Sequence, residues 1–411
     1  MTEIIHIDKL IHRGLGLGRR PNGQAVFVPF SAPGEDVRVR VRTEHQSYAE
    51  AELLDVLSPS PDRRMPPCPY FGRCGGCQLM HLTYHCQSIW KARIAEEIWS
   101  NGPPVESGSR HGQEFEYRHR VRFQVASDLS GFGFAQYNTN IIVNIRDCMI
   151  CAAPIRRILP HIQDELLPAL RAESIHPHHI TIIIVNDTPL VRLHTRRPVR
   201  TIDQQTAQHT APYPLAFDPR PESLPAGDLD FGGLRLAVDP DVFFQAFPAA
   251  AAEVGQHLVM RLNADTRLLE LYSGIGLFSL LFATRLRSVH AVEGDPAAGR
   301  LFALNQQRHA AANLTFSNQA VEHWLAESRI VSAYDAVFLD PPRTGLSPHV
   351  RHRIGQSHLN PILYLSCEIA TQRRDVRSWL ALGRQLSTLV IFDFFPNTFH
   401  IECLARIEGH A

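Results

Sequence analysis

The last third of the chain alternates short apolar runs with helical segments, and this pattern limits its fold more than any other feature. The runs that predict strands lie at residues 267–271, 289–292, 336–339, 362–365 and 389–391. Strands that alternate with helices in this way predict a doubly wound α/β domain beginning near Gly255. Ligands of such sheets bind at the carboxyl ends of the strands. The residues that follow each strand are therefore the candidates for function.

The first of these strands runs into a turn with two glycines, in the sequence LLELYSGIG at residues 268–276. Gly274 and Gly276 lack β-carbons, which lets a ligand approach the backbone closely. Glu293 ends the next strand, where its carboxylate can accept hydrogen bonds from ribose hydroxyls. An NAD site more often carries a third glycine, where this chain has Ser279.

A second motif, Asp340-Pro341-Pro342, follows the fourth strand. At this position S-adenosylmethionine enzymes place residues between the methyl donor and the target base. Methyltransferases that modify amino nitrogens have an aromatic residue next, which stacks on the base, but Arg343 stands here instead. The motif therefore indicates methyl transfer and disfavours an amino nitrogen as the target.

Cys367 and Glu402 are candidates for the nucleophile and the base of methyl transfer to carbon. Cys367 ends the fifth strand and Glu402 follows the sixth, so both are expected at one edge of the sheet. Carbon 5 of uracil is a poor nucleophile, but addition of a thiolate at carbon 6 makes an enolate that can attack a methyl group. A base must then remove the carbon 5 proton so that the thiol can leave. The alternative is a buried cysteine and a surface glutamate without a chemical role.

Four of the eight cysteines lie between residues 68 and 86, and the first three are separated by five and then two residues. Clustered cysteines in a cytosolic protein favour a metal or an iron–sulfur cluster over disulfides. The nearby glycines let the loop wrap around an inorganic core. A cluster normally needs four thiolates, and structural zinc is the alternative. With Cys68, Cys74 and Cys77 as three ligands, the candidates for the fourth are Cys86, Cys148 and Cys151.

Residues 3–57 predict a small β-barrel. Short alternating runs are punctuated there by Gly14, Gly16, Gly18 and residues 33–34, which is typical of a five-stranded barrel of the OB type. Such barrels commonly bind oligonucleotides, although many small barrels have other functions. Residues 58–62 predict a linker.

The middle of the chain offers one local patch for phosphates. A helix is predicted at residues 82–99 and strands at 113–145, where Arg118, Arg120 and Arg122 fall on one strand face by their spacing of two. A solvated strand face is the alternative. The stretch 198–225 is rich in Pro, Thr and Gln and predicts loops and a connection.

The overall charge argues neither for nor against a nucleic acid partner. The 411 residues contain 41 Lys and Arg against 41 Asp and Glu, so any RNA must be bound by local patches. The length and the 44% of apolar residues favour two or three domains. No apolar run reaches the roughly 18 residues of a membrane-spanning helix, and no signal-like run is present, so we expect a cytoplasmic protein.

Taken together, these motifs resemble those of the RNA uracil-5-methyltransferase family, which acts on ribosomal and transfer RNA. The resemblance covers nearly the whole chain. It implies an OB-like TRAM barrel at residues 1–57, an α+β iron–sulfur and RNA-binding domain at 58–240, and a Rossmann-like class I methyltransferase domain at 241–411. It also implies S-adenosylmethionine as methyl donor and RNA as partner; we expect no membrane contact and no obligate protein partner.

The resemblance assigns roles to individual residues. Cys148 matches the distant fourth ligand of the family's [4Fe-4S] cluster, beside the three cysteines named above. Cys367 matches the nucleophile and Glu402 the base. Phe243 is a candidate to lie near the target base, with a core aromatic as the alternative. The implied donor-binding residues are Gln245 in the family's Phe-x-Gln motif, Tyr272, Gly274, Glu293 and Asp340.

Two positions depart from the family. Glu368 follows the nucleophile where the family has asparagine, and an adjacent carboxylate tends to raise the pKa of a thiol unless it points away or pairs with Arg373 or Arg374. Phe247 replaces the asparagine two positions after Gln245. We therefore predict an enzyme that methylates carbon 5 of uracil in structured RNA, ribosomal before transfer RNA. The alternative is an RNA-binding protein with a degenerate catalytic domain; methylation at another base position leaves Cys367 and Glu402 unexplained.

Overall fold

The computed structural model describes residues 2–100, 102–108, 112–217, 226–327 and 332–409. Its first strands are β1 (Thr2–Ile11), β2 (Leu15–Arg19), β3 (Ala25–Pro29), β4 (Asp36–Glu44) and β5 (Tyr48–Ser58). They close into a barrel in the order β1-β2-β3-β5-β4, with alternate side chains such as Ile7, Val28 and Val39 buried inside. Gly18 is required by close packing, because a β-carbon there would lie 2.2 Å from the carbonyl oxygen of His6. The predicted five-stranded barrel is confirmed.

The middle segment begins with α1 (Tyr84–Ile98) and a short strand, β6 (Val105–Ser107). Thr83 caps α1, since its side-chain oxygen accepts a hydrogen bond from the backbone N–H of Cys86 at 3.3 Å. The helix predicted at 82–99 is confirmed.

A six-stranded sheet follows and is antiparallel except at one edge. Its strands are β7 (Arg120–Val125), β8 (Phe132–Ala135), β9 (Ile142–Asn144), β10 (Pro177–Val185), β11 (Thr188–Thr195) and β12 (Leu215–Ala216), in the order β12-β11-β10-β7-β8-β9. Its helices are α2 (Ala153–His161), α3 (Leu167–Ala172) and α4 (Thr201–Thr210).

Helix α4 corrects the prediction of loops for residues 198–225. Among its described side chains, Asp203 and Ala207 are buried, and most of the others are polar, so the sequence carries no apolar stripe of helical period. An ion pair between Arg200 and Asp203, 2.7 Å apart, closes its first turn. Residues 218–225 of the same stretch lie outside the described residues.

The C-terminal region opens with the hairpin β13 (Gly227–Asp230) and β14 (Arg235–Val238). Strands and helices then alternate. The helices are α5 (Pro248–Met260), α6 (Leu277–Ala283), α7 (Pro296–Arg308), α8 (Val321–Glu327), α9 (Pro348–Gly355) and α10 (Ile369–Leu380). The strands are β15 (Arg267–Leu271), β16 (Ser288–Glu293), β17 (Leu314–Asn318), β18 (Ala336–Leu339), β19 (Ile362–Ser366), β20 (Gln385–Phe392) and β21 (Glu402–Glu408).

These strands form an eight-stranded sheet in the order β17-β16-β15-β18-β19-β21-β20-β6. Strands β15 to β19 are parallel, and β21 is antiparallel to both of its neighbours. The predicted doubly wound domain is confirmed. The strand order reverses between β15 and β18, which is where the carboxyl ends of the strands open a crevice for a ligand.

The sheet is not built from the C-terminal region alone. Residues 105–107, as β6, pair with β20, and α1 packs against the same edge of the sheet. The predicted boundaries at residues 57 and 240 divide the sequence into three parts. In the structure, however, the second part contributes β6 and α1 to the sheet of the third part. Among the described residues, no helix is both long and apolar enough to cross a membrane.

Candidate active site

A cleft of about 530 Å³ opens where the strand order reverses. This volume lies within the range of small-molecule sites. The cleft brings together residues from both halves of the sheet and from the segment after β14. Its lining includes every residue predicted to bind the donor or to act in catalysis: Gln245, Tyr272, Gly274, Glu293, Asp340, Cys367 and Glu402.

The glycine turn after β15 shapes the floor of the cleft. Tyr272, Gly274 and Gly276 all have positive φ, of 65°, 57° and 91°. Glycine is needed at 276, because a β-carbon would lie 2.9 Å from the ring of Phe302. The carboxylate of Glu293 accepts the backbone N–H of Gly274 at 2.8 Å, so it is held at the end of β16 with lone pairs left for ribose hydroxyls.

Ser279 occupies the position at which an NAD site more often carries a third glycine, and its side chain makes a specific hydrogen bond. Its hydroxyl donates to the carboxyl of Glu270 at 2.5 Å, beneath the glycine turn. Burial raises the pKa of Glu270 to about 8, and this hydrogen bond opposes the rise. The serine therefore satisfies a buried acid that glycine would leave without this donor.

Asp340 and Gln245 face each other across the cleft. The side-chain amide of Gln245 donates to the carboxyl of Asp340 at 3.4 Å. Burial raises the pKa of Asp340 to about 7, and the hydrogen bond from Gln245 lowers it. A cationic ligand beside the Asp340 carboxyl would favour its ionised form.

Cys367 and Glu402 lie on neighbouring strands. Cys367 directly follows β19, and Glu402 begins β21, where Ser366 pairs with Cys403. Burial raises the pKa of the Cys367 thiol to about 12, and the neighbouring Glu402 adds to the rise. Glu402 is itself buried. Burial, the larger cause, and the nearby charge of Asp340, the smaller one, together raise its pKa well above the usual range. In such a low-dielectric site, the thiol can add to a carbon atom of a nucleobase, and the neighbouring carboxyl group, when ionised, can remove a proton.

Sequence reasoning missed the part played by Arg343. Its guanidinium lines the cleft beside Cys367 and Glu402 and lowers the pKa of both groups. The backbone carbonyl of Arg343 accepts a hydrogen bond from Thr371 of α10 at 3.1 Å. The sequence signal for this role is the position of Arg343 directly after the Asp340 motif. From sequence, Arg343 indicates only that an amino nitrogen is not the target.

Phe243 and Phe244 separate into two roles. Phe244 is buried, whereas Phe243 is 65% exposed although it lines the cleft. An exposed aromatic ring at the mouth of a cleft is available for stacking on a base. The alternative of a core aromatic therefore fits Phe244 rather than Phe243.

The two departures from the family lie away from the reacting groups. The carboxylate of Glu368 points to the barrel, 3.6 Å from Nε2 of His12, instead of pairing with Arg373 or Arg374. The charges that shift the pKa of Cys367 most are those of Glu402, Arg343 and Asp340. Phe247 is buried outside the cleft and stacks on Tyr117, with ring centroids 4.9 Å apart.

The predicted arginine patch is only partly available to a phosphate. Arg122 is exposed, but Arg118 and Arg120 are half-buried. The guanidinium of Arg120 lies 5.7 Å above the ring of Phe244, and that of Arg118 lies beside the cysteines of the middle segment. The spacing of two placed these arginines on one face, but that face is covered by the segment that leads to Gln245.

Four cysteines meet in a second, much smaller cavity of about 30 Å³. Cys68, Cys74, Cys77 and Cys148 line it, whereas Cys86 and Cys151 are buried and are not part of its lining. In the described parts of the chain, no group of three or more His, Cys, Asp or Glu residues is placed to hold a metal ion.

Comparisons with known proteins identify the family of this chain. The family model described as tRNA (uracil-5-)-methyltransferase matches residues 243–408, and the TRAM domain model matches residues 3–54. A 23S rRNA (uracil(1939)-C(5))-methyltransferase RlmD from Salmonella choleraesuis is 30% identical over 98% of this chain and 95% of its own length. The corresponding protein of Pectobacterium atrosepticum is 30% identical over 95% and 90%.

A solved structure shares the whole fold. The tRNA (uracil-54, C5)-methyltransferase of Pyrococcus abyssi, in complex with S-adenosyl-L-homocysteine, superposes with a TM-score of 0.77 and covers 98% of this chain and 99% of its own, at 21% identity. The matched models, the full-length relatives and the shared architecture lead to one conclusion. The chain is an RNA (uracil-5-)-methyltransferase and belongs to the RNA uracil-5-methyltransferase family.

Proposed function

We propose that this protein transfers a methyl group from S-adenosylmethionine to carbon 5 of a uridine in RNA through a covalent adduct with Cys367. The observation that carries the proposal is the shared cleft, which is lined by the Cys367 thiol, the Glu402 carboxyl and the donor-side residues together. A nucleophile, a base and a donor site in one crevice are the parts that this chemistry needs.

The reaction balances with these groups. The Cys367 thiol first loses its proton to solvent, and the thiolate sulfur then bonds carbon 6 of the uracil while the electrons of the C5–C6 double bond move into the carbonyl at carbon 4. Carbon 5 then takes the methyl group as the donor's sulfur becomes neutral. Glu402 removes the proton from carbon 5, the double bond reforms, and the bond between carbon 6 and sulfur breaks.

The donor would lie along the glycine turn. Glu293 suits the ribose hydroxyls, because its carboxylate is fixed by the backbone N–H of Gly274. Asp340 and Gln245 suit the cationic end of the donor, beside the thiol. Tyr272, at positive φ, suits the wall next to the ligand.

The target is proposed to be ribosomal RNA, because the relatives that match over nearly their full length modify 23S rRNA. The base would be flipped out of its stack to reach the cleft. Exposed Phe243 is placed to stack on it, and the barrel with Arg122 would contact the backbone. Since RNA is the substrate, we expect the protein to act in the cytoplasm.

The second cavity is proposed to hold a [4Fe-4S] cluster on Cys68, Cys74, Cys77 and Cys148. Support comes from the donor set: four thiols from two distant segments line one cavity. In a cluster the thiolates bond different irons, so they need not converge on a single ion. The cluster would supply cross-links between the two segments, and no step of the uracil chemistry requires its electrons.

The rival, an RNA-binding protein with a degenerate catalytic domain, rested on Glu368 and Phe247. Glu368 faces His12 and Phe247 packs on Tyr117, so neither side chain enters the cleft. The features that favoured the rival therefore give it no support.

Nucleoside mass spectrometry tests the proposal. Ribosomal RNA that lacks its native 5-methyluridine is incubated with S-adenosylmethionine and either wild-type protein or Cys367→Ala. We expect 5-methyluridine from the wild type and a loss of about 10⁴-fold or more in the variant. Cys403→Ala, a buried cysteine on the neighbouring strand, is the matched control. Product formed by Cys367→Ala would refute the covalent route.

A further inference from the structure

The loop that carries Glu402 is a long connection between two strands. Residues 393–401 join β20 to β21, and Glu402 is the first residue of β21. Phe395, in the same loop, lines the catalytic cleft. The position of this loop therefore sets where the carboxyl of Glu402 and one wall of the cleft lie.

Asn397 stands in the middle of this loop, fully buried and with a positive φ of 66°. Its backbone carbonyl accepts hydrogen bonds from the N–H groups of Gln78 and Leu79, each at 3.0 Å. Its backbone N–H donates to the side-chain oxygen of Gln87 at 2.8 Å. Both main-chain polar groups of Asn397 are thus bonded to a segment more than 300 positions earlier in the chain.

The side chain of Asn397 makes the same connection. Its amide nitrogen donates to the carbonyl of Glu114 at 2.8 Å. Its amide oxygen accepts from Gln87 at 3.1 Å and from the guanidinium of Arg64 at 3.2 Å. A buried amide with every polar atom bonded holds its loop firmly, because each lost partner leaves an unpaired buried group.

All of these partners lie within residues 64–114, which also contain Cys68, Cys74 and Cys77. Gln78 directly follows Cys77, and its side-chain oxygen accepts the N–H of Phe399 at 3.4 Å. Lys91 of α1 adds a second tie, since its ammonium donates to the carbonyl of Phe395 at 3.0 Å. The loop of the base is therefore fastened to the cysteine segment at several points.

Cys367 has no such tie to Asn397. It follows β19, and the next N–H, that of Glu368, donates to the hydroxyl of Ser366 at 3.1 Å. The backbone at the nucleophile is bonded within its own strand, whereas the loop that carries the base is bonded to residues 64–114.

We propose that Asn397 is a positioning residue that couples the cysteine segment to the catalytic base, so that disturbing this contact misplaces Glu402 and spares Cys367. The inference rests on the proposed function, in which Glu402 resolves the adduct. A displacement of about 1 Å at a reacting group costs about 100-fold in rate.

Asn397→Gly tests the coupling. Glycine tolerates the positive φ, so this change removes only the side-chain bonds. We expect the covalent adduct between Cys367 and RNA to form at nearly the wild-type rate and to decay about 100-fold more slowly. Asn313→Ala is the matched control, since Asn313 bonds the carbonyls of Ala283 and Leu286 outside this loop. Formation and decay that slow together, or decay at the wild-type rate, would overturn the proposal.

Hydrogen exchange gives a readout that does not depend on turnover. Gln78→Ala disturbs the cysteine segment at its contact with the loop and is expected to speed amide exchange at residues 393–402, while residues 272–276 keep their wild-type exchange. Unchanged exchange at 393–402 in both Gln78→Ala and Asn397→Gly would refute the coupling. An adduct that never forms in the wild type would instead refute the proposed function, and the exchange data would still decide the coupling.

Discussion

The donor side and the nucleophile side of the cleft are built in different ways. On the donor side, the turn after β15 and the end of β16 hold each other, through the hydrogen bond between Glu293 and Gly274. On the nucleophile side, the loop before Glu402 is held by residues 64–114, and Glu368 beside Cys367 contacts the barrel. The ribose end of the donor side is local in sequence, and the whole donor side lies within the C-terminal region, whereas the nucleophile side depends on the middle segment and the barrel.

This difference predicts that the two sides fail separately. Changes at Glu293 and the glycine turn should alter the affinity for the methyl donor and leave the thiol's reactivity intact, whereas Asp340 touches both sides because its charge raises the pKa of Cys367. Changes on the nucleophile side should alter the formation or decay of the adduct and leave donor affinity intact.

Among the changes that test this difference, the largest effect is expected from Glu402→Gln. The amide cannot remove the carbon 5 proton, so the methylated adduct should persist and turnover should fall by about 10³-fold. Denaturing gels with labelled RNA measure the adduct, and equilibrium binding measures the donor. Glu408→Gln, near the other end of β21, is the matched control. Wild-type turnover without a trapped complex would remove Glu402 from its role.

Glu293→Ala should act on the other side. Loss of a charged acceptor for the ribose hydroxyls is expected to weaken donor binding by about 30-fold. The rate of Cys367 alkylation by iodoacetamide should stay within about twofold of wild type, because the change lies on another strand. If alkylation slows as strongly as donor binding weakens, the two sides are not separate.

The same difference explains how much the sequence predicts. The glycine turn, Glu293 and the Asp340 motif each follow a strand of the predicted sheet, so their positions follow from local pattern. The hydrogen bonds that hold Asn397 do not follow from local pattern, because Gln87 lies 310 positions away and contributes a neutral amide on a helix. Nor does strand periodicity reveal that Arg120 is covered by Phe244. The fold class was predictable, whereas the supports of the base were not.

The pH dependence of alkylation tests the nucleophile side without a substitution. Because burial raises the pKa of Cys367 to about 12, the thiol is protonated near neutral pH, and its thiolate fraction grows about tenfold per pH unit as pH rises toward that pKa. Glu402 has a raised pKa as well, so its basic form also increases with pH. Because both raised pKa values act in the same direction, we expect the alkylation rate and kcat/KM to rise from pH 6 to 9.

Arg343→Leu should lower the rate of Cys367 alkylation at every pH. Removing the cation raises the pKa of Cys367 further, so alkylation at any fixed pH below it should slow severalfold while the slope with pH stays the same. Arg373→Leu, on α10, is the matched control because its guanidinium contacts Ser100 instead of the cleft. Equal rates for the two variants would show that Arg343 does not act on the thiol.

The smallest effect is expected from Glu368→Asn, which restores the residue typical of the family. The carboxyl group faces Nε2 of His12 at 3.6 Å, and burial lowers the pKa of that histidine, which weakens its attraction to the carboxyl group. Partly exposed polar contacts contribute at most about 1 kcal/mol. Turnover and alkylation should therefore change by less than about threefold. A large gain in alkylation would show that Glu368 turns toward Cys367 in solution, and the nucleophile side would then be governed by its own neighbour in sequence as much as by distant segments.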